Sequence, residues 1–326
     1  MFRVGVTRDI RAEDGSPIHD LALLDAAPDV EWEFLRDGDE VEDAAGYDAL
    51  VVFSPRVTRA TVAGADRLVL VARLGVGYDR VDVGACTEHG VLLTITPDGV
   101  RAPMASGAMA FVLALAHRLA EKDRSVREGG WERFAHVGTG LTGRTLGLVG
   151  LGNLGRAIAR LAAPFGLRIV AADPYVEAAE GVDLVDLSTL LAESDFVVVV
   201  CPLTDDTYHL LDGERLALMK PSAFLVNVAR GPIVDEAALA EALREERIAG
   251  AALDVFEEEP LAPESPLLVL DNVLLAPHAV GLTDEIFRGC GQSASRAVLD
   301  LAAARVPKYV VNPEALAHPR LAGLSR

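Results

Sequence analysis

The sequence predicts an α/β protein built from two doubly wound, parallel-sheet domains. Two observations carry this. Short apolar runs rich in β-branched residues alternate with helical patterns along most of the chain, the rhythm of a parallel sheet covered by helices. The chain is 326 residues long, more than one hydrophobic core comfortably fills. The expected division is residues 1–100, residues 101–283 with a connector helix at 101–122, and a last segment at 284–326.

In the first part, Arg3–Val6, Glu31–Leu35, Ala49–Phe53, Leu68–Ala72 and Val91–Leu93 read as strands. Helical patterns near Asp20–Ala27, Thr58–Gly64 and Asp82–His89 separate them. Within this part, Gly75-Val76-Gly77 follows a strand end, where glycines can turn backbone N–H groups toward a carboxylate. A simple glycine turn explains that stretch equally well. Residues 101–122 form an apolar connector, whose run Pro103–Ala116 is too short to span a bilayer and reads as a buried helix.

The most informative stretch is Thr145–Gly166. An apolar run, Leu146–Val149, leads into Gly150, Gly152 and Gly155 in G-x-G-x-x-G spacing, and an amphipathic helical pattern follows. The first glycine permits the tight turn, the second the approach of a pyrophosphate, and the third helix–strand packing. The helix N-terminus then presents N–H donors and a positive dipole end to phosphate. A second apolar run, Leu167–Ala172, ends in Asp173, placed to accept hydrogen bonds from an adenosine ribose. Its carboxylate would repel a 2′-phosphate, and no arginine follows in Pro174-Tyr175-Val176, so NAD is expected over NADP.

Further strands are expected at Phe196–Val200, Ala223–Val228, Ala249–Leu253 and Val273–Ala276, with helices at Ser188–Glu193, Asp212–Met219 and Asp235–Arg247. Three polar residues lie just beyond carboxyl ends of these strands, the ligand edge of an open α/β sheet. They are Arg230, Glu259 and His278. An arginine can hold a carboxylate by two parallel hydrogen bonds. A histidine can exchange a proton with a carbonyl or hydroxyl near neutral pH. A glutamate beside it would orient the imidazole and favour its charged form. Each has an ordinary explanation alone; together, beside a dinucleotide motif, they suit hydride transfer. Asp284–Ala304 reads as one helix, and the chain from Pro307 as an extended tail.

Four stretches, GLVGLGNLGRAIA, NVARGPIVDEAALAEAL, GAALDVFEEEP and APH, give the chain a resemblance to the NAD-dependent D-2-hydroxyacid dehydrogenase family over nearly its whole length. The resemblance implies a Rossmann NAD-binding domain and a smaller flavodoxin-like substrate domain with a cleft between them, closing over substrate. It implies that Arg230, Glu259 and His278 are catalytic. Implied cofactor contacts are Asn153, Leu154, Asp173, Cys201, Val228, Ala229, Arg230, Asp254, His278 and Val76, beside the Gly150–Gly155 turn. Implied substrate contacts are the N–H groups of Gly75, Val76 and Gly77, with Arg230 and His278. It further implies that residues 284–326 return to the first domain, and that a homodimer forms through the 101–122 region.

The chain departs from the family in places. Val100 and Ser106-Gly107 stand where most relatives have an asparagine and a glutamate–histidine pair. Phe53 and Pro55 stand where phosphoglycerate-using relatives carry arginines, and their regulatory extension has no counterpart after Arg326. The expected reaction is therefore reversible reduction of a small, non-phosphorylated 2-oxo acid of the glyoxylate or hydroxypyruvate kind. Formate-using relatives place glutamine at the position of Glu259, which counts against formate. Phosphite remains open, since its users keep the same three residue types. An NAD-sensing scaffold like the C-terminal-binding-protein corepressors also remains open.

Composition narrows the rest. A net charge of −19 argues against nucleic acid or an anionic membrane as partner, since either would need a basic face. Cys86, Cys201 and Cys290 are odd in number and form no CxxC pair, so neither a disulfide framework nor a metal site is expected, and a cytoplasmic location is. The start MFRVGVTRDI reads as a first strand and not as a signal peptide.

Overall fold

The computed structural model describes residues 1–325; Arg326, the end of the expected return segment, lies outside the described residues. The chain forms two units, Met1–Pro103 together with Leu282 onward, and Met104–Gly281.

The first unit holds β1 (Phe2–Val6), α1 (Ala22–Asp25), β2 (Val30–Phe34), β3 (Ala49–Val52), α2 (Arg59–Ala63), β4 (Leu70–Arg73), α3 (Val83–Glu88) and β5 (Leu92–Thr94). The strands pair in the order β2-β1-β3-β4-β5, all parallel, as the alternation predicts. This is the 2-1-3-4-5 order of flavodoxin-like sheets. Every residue of β3 is buried, which is why its run is continuously apolar and does not alternate. Thr58 and Asp82 cap α2 and α3 through their side chains, satisfying first-turn N–H groups.

The second unit holds β6 (Thr145–Val149), α6 (Asn153–Ala162), β7 (Arg168–Ala172), β8 (Asp183–Leu184), α7 (Leu187–Glu193), β9 (Phe196–Val199), α8 (Gly213–Leu216), β10 (Phe224–Asn227), α9 (Glu236–Arg244), β11 (Gly250–Leu253) and β12 (Val273–Leu275). Its parallel sheet runs β12-β11-β10-β9-β6-β7-β8. Counted from β6, this is the dinucleotide-fold order 3-2-1-4-5-6 with a seventh strand added. Strand order reverses at β6, which pairs with β7 on one side and β9 on the other. The ligand crevice of such a sheet lies at that switch point, outside the carboxyl ends of the strands. Strand β8 is absent from the sequence reading, because two half-exposed residues carry no periodic signal.

The connector is not one helix. Pro97–His117 forms a 21-residue helix, α4, Arg118 turns left-handed at φ 52°, and a second helix, α5, runs Leu119–Arg127. The Ala116 carbonyl at the break accepts a hydrogen bond from Thr139 N–H, a long-range partner that sequence does not show. The first of these helices is long and apolar enough to cross a membrane by length and composition, so shortness does not set it apart. Packing does: Ala105, Ala108, Met109, Val112, Leu115 and Ala116 lie in the core of the second unit, with Leu146, Leu148 and Ile158.

The last helix, Asp284–Ala302, belongs to the first unit, where Ile286, Cys290, Ala294 and Val298 are buried with Val4, Val51, Leu70 and Leu92. The expected extended tail is instead two short 3₁₀ turns, Pro313–Ala317 and Pro319–Leu321, each opened by proline. Buried Asn312 anchors them, accepting from Leu93 N–H (2.8 Å) and donating to Val91 O (3.0 Å).

Candidate active site

The nucleotide end of the second unit is built by three glycines with three different constraints. Gly150 adopts φ 101°, and a Cβ there would meet Cys201 N at 2.8 Å. Gly155 lies 2.5 Å, measured from a built Cβ, from Gly150 O, so any side chain would push α6 off the turn. Gly152 has nothing within 4 Å of its built Cβ; its smallness leaves space and serves no internal contact. Gly152 is also the N-cap of α6 and supplies no side-chain cap, whereas Asp186 and Asp235 cap α7 and α9. Asn153 and Leu154 thus stand in an uncapped first turn, suited to phosphate oxygens.

Asp173 closes the turn. Its Oδ2 accepts from Leu151 N–H at 2.7 Å and its Oδ1 from Tyr175 N–H at 2.9 Å. Each carboxylate oxygen keeps a lone pair for a ribose hydroxyl. Cys201 is half-buried against Gly150, and burial pushes its thiol up to about 11, so it is neutral and packs as a small apolar group. These residues fit a dinucleotide: an open glycine turn, uncapped N–H donors and an acid beyond them.

At the same sheet edge, β10 ends in buried Asn227. Its Oδ1 accepts from Ala229 N–H (3.1 Å) and its Nδ2 donates to Arg230 O (3.0 Å), which fixes the turn Val228-Ala229-Arg230. Arg230 Nη1 donates to Ala229 O at 2.7 Å. Next in the chain, Gly231 lies so close to the Phe256–Glu257 peptide that a built Cβ falls 1.9 Å from Phe256 C. The Arg230 loop and the Glu259 loop are therefore in backbone contact.

Glu259 Oε2 accepts from His278 Nδ1 at 2.8 Å, and its Oε1 from Phe256 N–H at 3.1 Å. Burial pushes the Glu259 carboxyl up, but the His278 and Phe256 hydrogen bonds and the nearby Arg230 charge outweigh it and leave it below its ordinary value. His278 adopts φ 53°, uncommon for a non-glycine residue. Asp254, at the end of β11, holds the chain just beyond it: Oδ1 accepts from Ala279 N–H (2.7 Å) and Val280 N–H (2.9 Å). Asp254 Oδ2 is buried without a partner, and burial raises this carboxyl despite the two N–H groups. An orphaned acceptor at the cofactor edge suits an amide donor.

Arg230, Glu259 and His278 thus lie together in one unit. The Gly75–Gly77 turn belongs to the other unit and differs in one respect from what the resemblance implies. Gly75, at φ 141°, donates its N–H to Thr96 Oγ1 at 2.7 Å, so that donor is already engaged. Val76 and Gly77 keep their N–H groups without partners among the described residues, and Val76 is exposed. Sequence reading missed Thr96 and Asn227. A buried asparagine ending an apolar strand was the available signal for the second; Thr96 offered none. Among the described residues, no group of three acidic, histidine or cysteine side chains could hold a metal ion.

Residues 109–280 match the family model for the NAD-binding domain of D-isomer specific 2-hydroxyacid dehydrogenases. The chain is 44% identical over 288 residues to the glyoxylate reductase of Thermococcus onnurineus, covering 85% of this chain and 86% of that one. The chain belongs to the D-2-hydroxyacid dehydrogenase family. Among solved structures, the TT0316 protein of Thermus thermophilus matches with a TM-score of 0.85 at 33% identity, covering 95% of this chain and all of that one. The NADPH-dependent glyoxylate/hydroxypyruvate reductase of Sinorhizobium meliloti matches with a TM-score of 0.83 at 28% identity, covering 97% and 99%. This family member is an oxidoreductase that uses a nicotinamide cofactor and acts on CH–OH donors.

Proposed function

We propose that this dehydrogenase reduces glyoxylate and hydroxypyruvate to the corresponding 2-hydroxy acids, with NADH preferred over NADPH. The observation that carries the catalytic part is the 2.8 Å contact between His278 Nδ1 and Glu259 Oε2, beside Arg230 and at the carboxyl edge of a dinucleotide-binding sheet. Glu259 takes the Nδ1 proton as its hydrogen-bond donor and leaves Nε2 for the substrate. The guanidinium of Arg230 binds the substrate carboxylate and polarises the adjacent carbonyl. His278 Nε2 gives its proton to the carbonyl oxygen as that oxygen gains charge, and recovers one from solvent after product leaves. A bound reduced nicotinamide supplies the hydride.

The NADH preference rests on Asp173, whose carboxylate would repel a 2′-phosphate. The test is a panel of glyoxylate, hydroxypyruvate, pyruvate and bulkier 2-oxo acids, each with NADH and with NADPH. The expected result is highest kcat/KM for the first two with NADH. Equal kcat/KM with both cofactors overturns the preference, and turnover confined to bulky acids overturns the substrate class.

We also propose a cytoplasmic homodimer. We propose the face along the 101–122 region, where Arg101, Ala102, Ser106, Ala110 and His117 are exposed, and continuing just past it. Trp131 is 73% exposed and Phe134 87%, and Leu119, Val126 and Val137 are exposed beside them in sequence. Exposed apolar groups gathered in one stretch suit burial against a second copy of the chain. Sedimentation should give twice the chain mass, and Trp131→Ser with Phe134→Ser should give monomers. A wild-type monomer at micromolar concentration refutes the dimer.

A further inference from the structure

A second histidine–carboxylate pair sits on the same loop as the first. His209, between β9 and α8, places Nε2 2.8 Å from Glu257 Oε1, two residues before Glu259. The two carboxylates of this loop leave in different directions. Glu259 turns back to Phe256 N–H and out to His278. Glu257 reaches His209, and Glu257 and Glu236 each accept a hydrogen bond from the other's backbone N–H, at 3.0 and 3.1 Å. His209 also uses its main chain: its N–H donates to Pro232 O at 2.8 Å, within the loop that begins at Arg230. One residue thereby ties the Arg230 loop through its backbone and the Glu259 loop through its ring. It does so at φ 47°, a conformation non-glycine residues rarely hold, and with Tyr208 stacked on the imidazole at 4.1 Å. Strain retained where two loops are joined points to a positional role.

We infer that His209 is a positioning residue, setting the Glu259–His278 pair in register with Arg230. It does not touch the reacting atoms. It acts through Glu257 on the loop that carries Glu259, and through Pro232 on the loop that carries Arg230. The inference rests on the catalytic reading above. Displacements near 1 Å around a reacting centre cost on the order of 10²-fold in rate, so loss of the His209 ring should lower kcat about ten- to hundredfold. Substrate KM and NADH affinity should stay near their wild-type values.

The test is a double-mutant cycle on the whole enzyme, with kcat, KM, NADH titration and Tm measured for each variant. His209→Ala should lower kcat, and Glu257→Ala should reproduce that loss. His209→Gln, whose amide N–H can reach Glu257, should restore most of it. In a Glu259→Ala background, His209→Ala should cost far less than in the wild type, because the side chain it positions is gone. Wild-type kcat in His209→Ala overturns the inference. So does an equal fold-loss in both backgrounds, or a loss that follows Tm or NADH affinity. A fully active Glu259→Ala overturns the catalytic reading itself and takes this inference with it, which separates the two failures.

Discussion

Alanine at position 278 is expected to lower kcat by about 10²–10⁴-fold, the range for removing a positioned general acid. NADH should still bind, because the Gly150–Gly155 turn and Asp173 are untouched. Glu259→Gln should cost less. Glutamine keeps an oxygen that accepts from Nδ1, so the ring stays oriented, but the negative charge facing the imidazole is gone. The pH dependence follows from the direction of the Glu259 shift. Its carboxyl lies below its ordinary value of 4.5, so the carboxylate form is favoured by the fold. That contribution is fully present above the ordinary value and is lost as pH falls through the lower folded value. Acid loss of activity through Glu259 is therefore expected only below about 4.5, and Glu259→Gln should remove that limb. Single-turnover kinetics across pH 3–8 reads both effects. A His278→Ala enzyme with near wild-type kcat would remove the proton-transfer role.

The fold was legible where a local pattern has a single physical meaning. Continuous apolar runs such as Ala49–Val52 and Phe196–Val199 can only be central strands once helices flank them, and all residues of both are buried. The glycine turn was readable because its three positions carry separate steric demands. What stayed hidden depends on partners far along the chain. The break at Arg118 comes with a bond from Thr139 to the Ala116 carbonyl. The 3₁₀ turns after Pro307 hang on Asn312, whose partners lie more than 200 residues earlier. Gly75 reads as a substrate donor from its local pattern, but Thr96, 21 residues on, holds its N–H. The candidate site shows the same division. Arg230, Glu259 and His278 were selected by type and strand-end position, both local properties. Asn227 and His209 do their work through contacts that no spacing rule announces.

Gly231 carries the second large expectation, because a Cβ there would lie closer to backbone than one at any of the three nucleotide glycines. Gly231→Ala would place Cβ 1.9 Å from both the carbon and the oxygen of the Phe256 carbonyl, and both neighbours are backbone. No side-chain rotation relieves that contact, so one of the two loops must move by more than an ångström. The displaced loop carries Arg230 or Glu259, and the His209 link resists separation of the two. A shift of that size should cost about 10²-fold or more in kcat/KM, and overpacking should lower stability by about 1–3 kcal/mol. Gly152→Ala is the informative contrast. Its Cβ meets nothing within 4 Å, so Tm should not move, while NADH affinity should fall because the space belongs to the pyrophosphate. Thermal denaturation and NADH titration of the two variants separate a glycine needed by the protein from one needed by its ligand. A stable, fully active Gly231→Ala would mean that the Arg230 and Glu259 loops are not held against one another, and the three-residue site would lose its frame.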